Sequence, residues 1–149
     1  PNELMNLDEQ ELSNDFKYAG MVSLAGAMTD TSLVTSESAI PGLFFHGTCD
    51  PLVPFASATH HYCPEKTPGA LMLHGSKSIS EKLHSLGKSY QLIAECGGKH
   101  GMASRPMDQY FDRIVEFLNA CVLKGEWWQS QMIVQGEENC TFPHSDFCK

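Results

Sequence analysis

The chain has 149 residues, 42% of them hydrophobic and 19% charged, a composition that excludes disordered and fibrous classes and makes one folded domain the default. A formal net charge of -8 and a pI near 5.2 set it against phosphate backbones and anionic membrane surfaces, so nucleic acid is not an expected partner. No run approaches the roughly 18 apolar residues of a membrane span, and because the chain opens on Pro1 rather than Met, the lack of a leader segment says nothing about export.

In chain order, residues 1–16 are polar and acidic, with Leu4, Met5, Leu7 and Leu12 at loosely helical spacing, and read as a helix end or a connecting loop. Residues 18–26 form a short apolar run bounded by polar residues and glycine, which predicts a buried strand; Thr29 to Ala39 is a Thr- and Ser-rich loop. Residues 41–46 predict a second buried strand that Gly47 ends, running at once into Thr48-Cys49-Asp50-Pro51. Helical spacing recurs at 55–62 and 76–86, the second closed by Gly87. Residues 89–95 predict a third strand, followed by Gly97-Gly98-Lys99-His100-Gly101. Pro106 opens a helix to about 122 that places Tyr110, Ile114, Phe117, Leu118 and Cys121 on one face. The last part, 126–149, with Trp127-Trp128, Gly136 and Pro143, reads as a surface tail that packs on the body. Long connections between strands imply an α/β fold with a mostly parallel sheet flanked by helices.

Six cysteines stand at 49, 63, 96, 121, 140 and 148. Cys140 with Cys148, and Cys49 with Cys63, are the pairs that sequence proximity suggests, while Cys96 and Cys121 read equally as small buried thiols. The set favours an oxidising, extracytoplasmic or secreted setting.

In an open parallel sheet, functional groups gather beyond the carboxyl ends of the strands. Asp50 and His100 both fall there, and a carboxylate beside an imidazole holds one tautomer and stabilises the imidazolium formed on proton uptake. Taken singly, Asp50 reads as a turn starter and His100 as a surface residue of a glycine-rich loop. His46 reads as structural, packed under the acid loop. Adjacent His60-His61 lack a third ligand at metal spacing, so neither a metal nor another cofactor is expected. Asn139-Cys140-Thr141 fits a glycosylation sequon but carries no weight alone.

The stretch Phe44-Phe45-His46-Gly47-Thr48-Cys49-Asp50-Pro51-Leu52-Val53-Pro54 resembles the acid-bearing segment of α/β-hydrolases, a strand running into His-Gly-x-x-Asp-x-x-Val-Pro. Gly97 to Gly101 is similar to the family's histidine loop, and Lys17 to Asp30 to the strand after the nucleophile helix in its secreted bacterial esterases. The resemblance implies that residues 1–125 are the C-terminal half of an α/β-hydrolase domain, with Asp50 as triad acid and His100 as general base. The fifty-residue separation of the two exceeds the family's common spacing, and the excess around His60 to Leu73 reads as an insertion.

One departure outweighs these matches. The family's nucleophile precedes the acid, in Gly-x-Ser-x-Gly at a strand-to-helix turn, and no such motif occurs here. Ser23 and Ser76 follow glycines at the wrong spacing. The implied activity is therefore that of a carboxylic ester hydrolase whose serine lies upstream, with a small-molecule ester as substrate and either the N-terminal half of the same protein or a second copy as partner. Peptide hydrolysis uses the same fold and triad. The alternative is a catalytically inactive, truncated hydrolase-like binding module.

Overall fold

The computed structural model describes residues 17–63, 67–136 and 145–148. Readings that fall on residues 1–16, on the Asn139 sequon and on Cys140 lie outside them. The fold is mixed α/β. Four strands, β1 (Met21–Leu24), β3 (Gly42–Gly47), β6 (Tyr90–Cys96) and β7 (Gln129–Gln135), form a parallel sheet in the order β1-β3-β6-β7. A smaller antiparallel sheet, ordered β2-β5-β4, joins β2 (Ala27–Met28), β4 (Ser57–Thr59) and β5 (Met72–Gly75).

Alternation along β3 builds two cores at once. Leu43 and Phe45 face one side, where Ile93, Met102, Ile114 and Phe117 pack with them, while Phe44 points to the other, against Ile79, Leu83 and Leu92. Helix α1 (Ser76–Ser85) thus covers one sheet face through Ile79 and Leu83, and helix α3 (Phe111–Phe117) the other through Ile114 and Phe117. All six residues of β3 are buried, as a strand covered on both faces requires.

Four elements depart from their sequence reading. Residues 55–62 are not a helix: Ser57–Thr59 pairs with Met72–His74 in a hairpin, and the amide of His60 is satisfied by the Leu71 carbonyl at 2.7 Å. β5 passes directly into α1. The helix expected from Pro106 to 122 is interrupted at Tyr110, whose φ of -127° and ψ of 21° leave the helical region, so that α2 (Pro106–Gln109) is separate from α3, which continues without a break as a π-helix over Leu118–Leu123. The expected surface tail contains β7, whose alternating half-buried and exposed residues extend the parallel sheet by an edge strand. Met132 and Val134 pack into the α3-side core, as does Trp128, while Trp127 stays largely exposed.

The expected strand over 18–26 is shorter and divides at Ala25, which takes a φ of 52° and sends the chain from the parallel sheet into the antiparallel one. A non-glycine residue there is uncommon and carries local strain. Among the described residues, no helix is long and apolar enough to cross a membrane.

Candidate functional site

Strands β3 and β6 run side by side, in register from Gly42 with Tyr90 to Gly47 with Glu95, so their carboxyl ends deliver adjacent loops. Three hydrogen bonds tie the loops together: Thr48 N–H to the Glu95 carbonyl at 2.9 Å, Cys49 N–H to the Gly98 carbonyl at 2.9 Å, and Gly97 N–H to Thr48 Oγ1 at 3.0 Å. Asp50 and His100 extend from this junction and meet, Asp50 Oδ2 accepting from His100 Nδ1 at 2.7 Å.

Asp50 is held before it meets His100. Its Oδ1 accepts the amides of Leu52 at 2.8 Å and Val53 at 3.0 Å, an Asx turn that fixes the carboxylate on its own loop. The carboxylate is wholly buried, whereas the imidazole is 36% exposed. Since the carboxylate accepts, Nδ1 of His100 carries the proton, and Nε2 presents its lone pair outward with no hydrogen bond to a described residue. His100 opens a short 3-10 turn, His100–Ala103, anchored in the core by the buried Met102.

His46 lies beneath this pair and is fully buried. Its Nε2–H donates to the Val53 carbonyl at 3.1 Å, and Nδ1 accepts from the buried Ser76 hydroxyl at 2.8 Å. Burial pushes its pKa below the ordinary histidine value, against the opposing pull of the Val53 carbonyl and the Asp50 charge. The ring is therefore neutral and structural in its contacts, as the sequence reading has it. Ser76 likewise serves as the partner of His46 at the start of α1.

The disulfides differ from those expected. Cys96, at the end of β6, is bonded to Cys148, and Cys49, next to Asp50, is disulfide-bonded as well. Cys63 is free, which removes the Cys49–Cys63 pairing, and the Cys96–Cys148 bond removes that of Cys140 with Cys148. Proximity in sequence misleads here because the C-terminal segment Ser145–Cys148 comes back to the end of β6, 52 residues earlier in the chain. Cys121 is a buried free thiol, one of the two readings its sequence position left open, and burial pushes its pKa up; Cys96, read in the same way, is bonded instead.

A cavity of about 450 Å³ adjoins the histidine loop, lined by Lys99, Gln109, Tyr110, Gln135 and the paired Glu95 and Arg105. His100 is not among its lining residues. A second serine–imidazole contact, Ser57 Oγ to His74 Nδ1 at 2.8 Å, joins directly opposed residues of β4 and β5 and closes that register. His60, His61 and Tyr62 stack on one another in the hairpin loop, and among the described residues no group of three or more metal-ligating side chains forms. No protein-family model matches the chain, and no curated protein or solved structure matches it with significance.

Proposed function

We propose that this chain is the C-terminal part of an α/β-hydrolase, a serine-dependent carboxylic ester hydrolase in which Asp50 and His100 are the acid and base and the serine lies upstream of Pro1. The observation that carries the reading is the 2.7 Å bond between a wholly buried carboxylate and a part-exposed imidazole at the carboxyl ends of neighbouring parallel strands.

In this reading His100 Nε2 takes the proton of the serine hydroxyl as its oxygen attacks the ester carbonyl. Asp50 stabilises the imidazolium, which then protonates the departing alcohol. Water, deprotonated in turn by His100, releases the acid and restores the serine. Backbone N–H groups of the upstream part supply the oxyanion donors. That part continues the parallel sheet beyond β1, the edge strand among the described residues. The disulfide-bonded Cys49, Cys96 and Cys148 support an extracytoplasmic setting.

The second reading, an inactive binding module, is favoured by the lack of any described hydroxyl on His100 Nε2. The residues encoded upstream of Pro1 and a fluorophosphonate label separate the two. A Gly-x-Ser-x-Gly there, with labelling of that serine in the longer protein and its loss in His100→Ala, supports the hydrolase; no such motif and no labelling sink it.

A further inference from the structure

Asp50 is braced from below by a continuous line of rings that ends at a disulfide. His46 Nε2 stands 3.6 Å from Asp50 Oδ2 and donates to the Val53 carbonyl, so the ring holds the loop whose amides cradle the acid. The His46 ring meets Phe55 edge-on, with centroids 5.7 Å apart and planes at 72°. Phe55, 2% exposed, in turn meets Phe147 edge-on, at 5.1 Å and 67°. The next residue, Cys148, is bonded to Cys96, four residues before His100 on the same strand-to-loop passage. The segment Ser145–Cys148 therefore touches the acid side through Phe147 and the histidine side through Cys148.

We propose that Ser145–Cys148 is a positioning element for the acid–imidazole pair, with Phe147 the residue that transmits the support and the Cys96–Cys148 bond the anchor that keeps Phe147 on Phe55. A short helical turn has little surface of its own to hold it in place. The disulfide supplies the tether, and offset edge-to-face rings supply a preferred geometry that a merely apolar contact would not. Without Phe147, Phe55 loses the ring on its outer side, His46 loses a fixed neighbour, and the Asp50 loop gains freedom to leave His100. This deepens the reading proposed above and takes its functional meaning from it, but the experiment reads the pair itself and needs no substrate.

The test uses the full 149-residue chain, oxidised and isotopically labelled, with Phe147→Ala, Phe147→Leu and Cys148→Ser as variants. Two signals are followed by NMR: the low-field resonance of the His100 Nδ1–H, and amide exchange at Leu52 and Val53 measured against Leu92 in β6. In Phe147→Ala, which keeps the disulfide, exchange at Leu52 and Val53 relative to Leu92 is expected to rise roughly tenfold, the scale on which losing one aromatic pair shifts a local opening. The His100 resonance is expected to broaden or vanish, and Phe147→Leu, which keeps apolar volume but no ring, to restore it only in part. Cys148→Ser is expected to do at least as much, and where that variant fails to fold, Phe147→Ala decides alone. An unchanged exchange ratio with an unchanged His100 resonance in Phe147→Ala overturns the proposal. So does equal acceleration at all three amides, or collapse of the whole fold, since either marks a role in global stability only. Absence of esterase activity in the longer protein bears on the proposed reaction and leaves these signals as they are.

Discussion

His46 Nε2 stands 3.6 Å from the carboxylate of Asp50, four residues on, with both side chains wholly buried. Burial sets the protonation state, because charging an enclosed imidazole costs more than the nearby carboxylate and the Val53 carbonyl return. A histidine whose pKa is lowered by folding binds fewer protons folded than unfolded. Its contribution to stability is therefore complete above the unfolded value of about 6.5 and is lost as pH falls below it. We expect the melting temperature to drop between about pH 7 and pH 5, with His46 adding a slope of up to about 1.4 kcal/mol per pH unit. His46→Gln, which retains an N–H for Val53 but does not titrate, should flatten that limb. An unchanged slope in the variant would exclude His46 as the source.

A second expectation concerns the reaction. In the protein carrying its upstream part, His100→Ala should abolish hydrolysis of p-nitrophenyl acetate, and Asp50→Asn should lower kcat by about 10⁴, the scale for losing the carboxylate that fixes a catalytic imidazole's tautomer. The 149-residue chain alone should show no turnover above background, since a base and acid without nucleophile and oxyanion donors lose most of the acceleration. Turnover by the chain alone that His100→Ala removes would place a nucleophile within it.

The centre of the candidate site follows from local signals. Short apolar runs bounded by glycine set β3 and β6 beside each other, and the loops after them had to carry Asp50 and His100 to one end of the sheet. What sequence signals did not carry was long-range. The burial alternation along 129–135 has no counterpart in the sequence, where the polar run Gln129-Ser130-Gln131 precedes the apolar run Met132-Ile133-Val134, so the segment reads locally as loop. Ser57–Thr59 is too short for its own periodicity and takes its strand form from pairing with β5. The partner of Cys96 lies 52 residues away, and only the fold of the C-terminal segment back over the sheet brings the two together.

At Gly47 the end of β3 packs directly against the backbone of the histidine loop. A Cβ there would lie within 2.4 Å of backbone atoms of Gly98 and Lys99, a clash no rotamer relieves. Gly47→Ala should cost about 1–3 kcal/mol in a denaturant titration, as overpacking does. It should also separate the Asp50 and His100 loops, seen as loss of the His100 Nδ1–H resonance. Full stability together with an intact resonance would show that the junction yields more easily than its geometry implies.

The last expectation concerns the open edge of β1. The Met21 and Ala25 amides donate to the Pro41 carbonyl and, across β3, to that of Phe45, so alternation turns the backbone groups of Val22 and Leu24 away from β3 to the free side. Tyr18 and Met21 are exposed at the start of this strand, and its remaining side chains are only half-buried. A parallel edge that no described strand covers, with apolar neighbours, is a template for another strand, and natural sheets rarely leave one bare. In the longer protein we expect the upstream half to occupy it. In the 149-residue chain alone we expect association through the same edge, so light scattering should give a mass above the 16.5 kDa of one chain. Val22→Pro removes an outward N–H while leaving the β3 pairing of Met21 in place, and should shift the population toward the single-chain mass. A monodisperse, cooperatively melting species at 16.5 kDa in the unsubstituted chain, with no second polypeptide on a denaturing gel, would show that this edge needs no partner.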